Sequence, residues 1–122
     1  MLGYVDLSMT ASQVICKQCI DMKNIDQFEF EGLSQEKDSV ILDVRRPDEW
    51  ARGIVPGART INFMDQLNFM DEIQKLDKSK HYLIYCRSGN RSGRACMIMN
   101  QLGFGNTYNL KGGMMAWRGE LV

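Results

Sequence analysis

Short apolar runs separated by polar, glycine-rich stretches set the rhythm of this chain. Val40-Ile41-Leu42, ending at Asp43, and Tyr82-Leu83-Ile84-Tyr85, ending at Cys86, are continuous apolar runs too short for helices. They read as strands buried on both faces. Thr60-Ile61-Asn62 and Thr107-Tyr108-Asn109 read as two shorter strands. Between the strands the period changes. Leu67, Met70, Ile73 and Leu76 recur at helical spacing, with Asp65 and Asp71 toward the start and Lys75 near the end, an order that suits the helix dipole. Ala95, Ile98, Met99 and Leu102 repeat that spacing in a helix beginning near Ser92. Pro47-Asp48-Glu49-Trp50 opens a short helix with proline in its first turn, and Met114 to Arg118 form a closing helical turn. Strands alternating with helices predict an α/β domain with a mainly parallel central sheet flanked by helices on both faces. Ligands in such folds bind beyond the carboxyl ends of the strands, where Asp43 and Cys86 both stand.

The chemistry concentrates at Cys86-Arg87-Ser88-Gly89-Asn90-Arg91-Ser92, between an apolar strand and a helix. Gly89 and Gly93 allow positive φ, so successive N–H groups can turn inward and form an anion-binding nest. The helix start adds its unpaired amides, and Arg87 and Arg91 add two fixed positive charges. All of these favour thiolate over thiol. An unperturbed cysteine has a pKa of about 8.5, and such surroundings lower it to roughly 3.5 to 7.5. A cysteine that ends a strand is ordinarily a small buried hydrophobe, but this loop's arginines, hydroxyls and glycines serve no core packing. Cys86 is the candidate nucleophile. Asp43 either orients Arg45 or Arg91 beside the pocket or satisfies a local turn; both readings stay open.

At this loop the chain resembles the rhodanese-type sulfurtransferases. Leu42-Asp43-Val44-Arg45-Arg46-Pro47-Asp48-Glu49-Trp50, continuing through Gly53 to Pro56-Gly57-Ala58-Arg59-Thr60-Ile61-Asn62, is similar to the family's amino-terminal signature. Leu110-Lys111-Gly112-Gly113-Met114-Met115-Ala116-Trp117 is similar to its carboxy-terminal one. The three motifs run in order from Ile25 to Trp117, about three quarters of the chain. The resemblance implies a rhodanese-like fold and transfer of sulfane sulfur through a persulfide on Cys86. Arg87, Ser88, Gly89, Asn90, Arg91 and Ser92 would bind the substrate, with Asp43 and Arg45 in support. It implies a small anionic sulfur donor, a thiol or protein-cysteine acceptor, and neither metal nor organic cofactor. One departure is that Ile54 stands where the family usually carries a histidine. The lone histidine, His81, precedes the active-site strand and reads as an ordinary residue.

Related cell-cycle phosphatases and arsenate reductases also place an arginine after a nucleophilic cysteine, but with one more intervening residue. Here four residues separate Cys86 from Arg91, which suits a single added sulfur atom better than a tetrahedral oxyanion. A non-catalytic binding module of the same fold is the other alternative; inactive relatives typically lose the cysteine, and this chain keeps it.

Composition narrows the context. The 122 residues suffice for one core, and fifteen acidic against fifteen basic residues argue against a broadly basic nucleic-acid surface. No apolar run is long enough for a membrane span and no secretory signal is evident, so a cytoplasmic protein with free thiols is expected. Residues 1–24 read as an extension, helical from Ala11 to Met22, ahead of a domain over 25–122. The extension carries the pair Cys16 and Cys19, either a surface feature or thiols that accept sulfur from Cys86 or resolve its oxidised form. Cys96 reads as a packed helix residue. Met97, Met99, Met114 and Met115 are core residues or the lining of an adaptable docking face. Trp50 and Trp117 are packing residues whose N–H groups need partners.

Overall fold

The computed structural model describes residues 22–122. Its sheet runs β1 (Lys23–Ile25), β2 (Ser39–Asp43), β3 (Arg59–Thr60), β4 (His81–Tyr85) and β5 (Thr107–Leu110), ordered β1-β5-β4-β2-β3 with every pairing parallel. Each parallel step needs a crossover. The helices α1 (Gln27–Ser34), α2 (Pro47–Trp50), α3 (Gln66–Gln74), α4 (Asn90–Gln101) and α5 (Gly113–Ala116) lie along the connections and beyond the last strand. β4 takes the middle place, flanked by β2 and β5, so the residue after its carboxyl end emerges at the centre of the sheet.

Alternation along β4 divides the core in two. Tyr82, Ile84 and then Cys86 face a cluster with Phe69 and Ile73 of α3 and Ala95, Cys96 and Met99 of α4. Leu83 and Tyr85 face the opposite cluster, with Phe30 of α1, Val55, Leu110 and Trp117. Both faces of the sheet are thereby covered, as the uninterrupted apolar character of β4 requires. Fully burying one such aliphatic or aromatic side chain contributes about 1.5 to 3 kcal/mol, so β4 anchors the loop that follows it.

Several elements differ from the reading of the sequence. β1 and α1 were not foreseen: β1 has three residues, and α1 is capped by Asp26, whose carboxylate accepts from the Glu29 N–H at 2.9 Å. β3 pairs only over Arg59–Thr60, although Ile61 continues into the core. α3 is capped by Asp65 as its charge pattern implied, but Leu67 is 87% exposed and Phe69 fills the inner face instead. α4 begins at Asn90, two residues before Ser92. The closing turn stops at Ala116.

Met99 is buried in one core and Met114 packs against the other, while Met115 is 63% exposed, so the methionines do not form one face. The Trp117 Nε1–H donates to the Glu120 carbonyl at 3.1 Å, whereas the buried Trp50 Nε1 has no partner among the described residues. Met22 packs against the α3–α4 core; Cys16, Cys19 and the rest of the proposed amino-terminal helix lie outside the described residues.

Candidate active site

Cys86 leaves β4 fully buried, and the chain then turns over Arg87, Ser88 and Gly89 before α4 begins. Gly89 caps that helix with φ of 105°, a conformation that strains any residue with a Cβ. The turn is held from behind by α5. The Met114 N–H donates to the Cys86 carbonyl at 2.9 Å, and the Met115 N–H to the Arg87 carbonyl at 3.0 Å. Gly113, with φ of 55°, permits this approach: a Cβ there would stand 2.5 Å from the Cys86 carbonyl oxygen and 2.6 Å from that of Arg87.

With the carbonyls committed to α5, amides of the loop turn toward the sulfur. The Gly89 N–H reaches Cys86 Sγ at 3.1 Å and the Ser92 hydroxyl oxygen lies 3.4 Å from it. Burial pushes the Cys86 thiol up, but hydrogen bonding from the Ser92 hydroxyl and the N–H groups of Ser92, Gly89 and Ser88 outweighs it. The net effect is a thiol below its ordinary range. Of the two glycines from which the nest was read, only Gly89 takes positive φ; Gly93 lies within α4. Ser92 is buried and bonded onward to Asn109 of β5 at 2.5 Å.

The two loop arginines have different settings. Arg87 is exposed. Arg91 is gripped by Glu49, its Nη1 at 2.8 Å from Oε1 and its Nη2 at 3.1 Å from Oε2, a bidentate pair. The Arg91 contact holds the Glu49 carboxyl at about 2, against the opposing effect of burial and with help from the Arg46 N–H. Arg91 keeps the fixed positive charge read from the sequence, and Glu49 balances it.

Asp43 serves Arg45 rather than Arg91. Its carboxylate accepts from Arg45 Nε at 3.0 Å and Nη2 at 2.7 Å, from the Arg45 N–H at 3.0 Å and from the Tyr85 hydroxyl at 2.7 Å. The same carboxylate thus contacts the Arg45 side chain and closes a local turn. Arg45 also donates to the carbonyls of Glu49 at 3.3 Å and Gly53 at 2.7 Å, bracing the segment from which Glu49 reaches Arg91. Burial, reinforced by the bond to Asp43, raises the Tyr85 hydroxyl well above its ordinary value, so it remains neutral while it accepts from the Val55 N–H at 3.0 Å.

His81 sits at the amino end of β4, away from Cys86, its ring stacked on Tyr108 at 6.2 Å. Ile54 exchanges backbone hydrogen bonds with Val122 at 3.0 and 2.9 Å. Glu49, Asn109 and Gly113 are the site residues whose parts the sequence did not disclose. Glu49 and Gly113 stood only as members of the two signatures and Asn109 only as a strand residue; the partners of Glu49 and Asn109 lie 42 and 17 residues away.

The family model of the rhodanese-like domain matches residues 26–120. The chain belongs to the rhodanese-like family. Among curated relatives, a protein of Allochromatium vinosum named sulfurtransferase is 37% identical over 97 residues, covering 76% of this chain and 88% of that one. YtwF of Bacillus subtilis is 39% identical over 90 residues, covering 74% and 84% respectively. The crystal structure of a rhodanese-like domain protein from Staphylococcus aureus superposes with a TM-score of 0.70 at 32% identity, over 83% of this chain and 97% of that one. No helix among the described residues is long and apolar enough to cross a membrane.

Proposed function

We propose that this rhodanese-like protein is a sulfurtransferase that carries sulfane sulfur on Cys86. The observation that carries the reading is the buried sulfur facing the Gly89 N–H and the Ser92 hydroxyl, which together favour the thiolate. Family membership and the sulfurtransferase name of the Allochromatium vinosum relative support it.

Two displacements complete the cycle. The Cys86 thiolate attacks the outer sulfur of thiosulfate or of a persulfide; a new S–S bond forms as the donor's S–S bond breaks, and sulfite or a thiolate departs with the bonding pair. The outer sulfur of the resulting Cys86 persulfide carries negative charge and lies under the amides of Ser88 to Ser92. An acceptor nucleophile then attacks that outer sulfur, and Cys86 leaves as the thiolate it was at the start. Cyanide is the acceptor in vitro, and a small thiol or protein cysteine in the cell. Neither displacement needs a metal, an organic cofactor or a general base, which fits an Ile54 that offers no titratable group.

Within this scheme exposed Arg87 meets the anionic donor, the backbone from Ser88 to Asn90 lines the nest, and Arg91 shapes the loop through Glu49. Asp43 and Arg45 act from behind, by fixing the Glu49 segment. Thiocyanate formation from thiosulfate and cyanide tests the reading. Turnover by the native chain that disappears in Cys86→Ser is expected; equal turnover by the two proteins would refute it.

A further inference from the structure

Beneath Cys86 a polar chain crosses from the active-site loop to the edge of the sheet. The Ser92 hydroxyl oxygen lies 3.4 Å from Cys86 Sγ and 2.5 Å from Asn109 Oδ1. Asn109 Nδ2 continues to Asn24 Oδ1 on β1 at 2.8 Å and to the Gly89 carbonyl at 3.2 Å. Ser92 and Asn109 are both buried, so each hydrogen bond made or lost here matters.

Donor and acceptor chemistry fixes the direction of this chain. The Gly89 carbonyl can only accept, so the Asn109 atom beside it is the amide nitrogen, and the amide oxygen therefore faces Ser92. That oxygen can only accept as well. A serine hydroxyl has one proton, and two acceptors compete for it: Asn109 Oδ1 at 2.5 Å and the Cys86 thiolate at 3.4 Å.

We infer that Asn109 is a positioning residue that makes Ser92 a one-proton switch for the charge on Cys86. When Cys86 is a thiol, Ser92 donates to Asn109 and its lone pair accepts the S–H. Once Cys86 is a thiolate, the hydroxyl turns its proton to the sulfur and gives up the bond to Asn109. On sulfur loading the negative charge moves to the outer atom, Cys86 Sγ becomes neutral, and the proton returns to Asn109. Donation to the sulfur is thus renewed when the acceptor attacks and Cys86 departs as thiolate. No proton leaves Ser92 at any stage.

The consequence has a definite sign: Asn109 holds back the thiolate. The charged and titratable groups otherwise facing Cys86 are Arg91, paired with Glu49, and Cys96, which burial pushes up to about 12. Arg87 follows in the chain and is exposed. The substitutions below leave all of these in place.

The inference rests on Cys86 being the reacting group, and its test does not use sulfur transfer, so the two readings fail separately. The test is the pH dependence of iodoacetamide alkylation at Cys86, read by peptide mass, in the native chain, Asn109→Ala, Ser92→Ala and the double variant. Asn109→Ala is expected to lower the midpoint by about half to one pH unit, and Ser92→Ala to raise it by a similar amount. The double variant should match Ser92→Ala within about 0.3 unit, because the competition is for the Ser92 proton; a shift that persists without the hydroxyl would instead arise from the Gly89 carbonyl that Asn109 Nδ2 also holds. An unchanged or raised midpoint in Asn109→Ala, or two single effects that simply add, would overturn the inference.

Should Asn109→Ala not fold, as judged by circular dichroism, the native protein supplies the reading. In the infrared difference between native and Cys86→Ser at low pH, the Cys86 S–H stretch should lie below that of a free thiol and rise in Ser92→Ala. A free-thiol frequency in the native chain would contradict the switch.

Discussion

Cys86 and Cys96 are both fully buried and stand ten residues apart, one at the end of β4 and the other within α4, yet their thiols are driven in opposite directions. Burial pushes Cys96 up to about 12, a rise that its contact with Thr107 only partly offsets. At Cys86 the same penalty is overcome by hydrogen bonds from Ser92, Gly89 and Ser88. The comparison teaches that burial does not by itself quiet a cysteine. Solvent is absent from both, and what differs is whether protein donors replace it. The end of a strand can supply them, because the turn that follows has amides free to face inward. The interior of a helix cannot, because its amides are already bonded within the helix.

The sharpest way to break this comparison is to remove each sulfur in turn. Cys86→Ser should reduce thiosulfate:cyanide turnover to background, while Cys96→Ala should keep the rate within about twofold and cost roughly 1 kcal/mol of stability. Equal losses would mean that both thiols take part. Next in size is the support behind the loop. Gly113→Ala places a Cβ against the carbonyls of Cys86 and Arg87 at positive φ, so Cys86 alkylation at neutral pH should fall at least about tenfold and stability by roughly 1 to 3 kcal/mol. Thermal melts and timed alkylation with iodoacetamide measure the two effects.

How much of this contrast was legible in the chain follows from distance along it. The apolar run Tyr82 to Tyr85 and the glycine- and arginine-rich turn after it are contiguous, so the strand, the turn and the cysteine between them could be read together. Helical spacing likewise placed Cys96 in the packed interior of α4. Short elements were missed where pattern is weakest: three residues of β1 show no alternation, and α1 buries only Phe30. Leu67 misled because an exposed leucine costs little when Phe69, on the opposite side of the helix, fills the inner face. The Glu49 carboxylate was invisible as a site residue, because a pairing across 42 residues is created by the sheet and not by any local spacing. For the same reason the carboxylate that balances the Arg91 charge could not be named from the sequence.

Glu49 allows a subtler test with a defined pH sign. Its folded pKa of about 2 lies below the ordinary 4.5, so its stabilising effect is complete above 4.5 and is lost as pH falls toward 2. Glu49→Gln should therefore be destabilised by about 1 to 2 kcal/mol at neutral pH, with the gap closing through that acid window in urea melts. A gap independent of pH would assign the effect to packing. The smallest expected change concerns Arg91. Arg91→Ala should raise the alkylation midpoint of Cys86 by less than about one pH unit, and adding Glu49→Gln should return it most of the way, since the pair is removed together. A large rise that survives the second substitution would show that Arg91 acts on the sulfur alone.

The central claim, that Cys86 and not Cys96 carries sulfur, is tested most directly by intact-protein mass after brief exposure to thiosulfate and then cyanide, with Cys86→Ser and Cys96→Ala alongside. The account predicts a gain of one sulfur atom in the native chain and in Cys96→Ala, removed by cyanide and absent from Cys86→Ser. A cyanide-labile sulfur that persists in Cys86→Ser would contradict it.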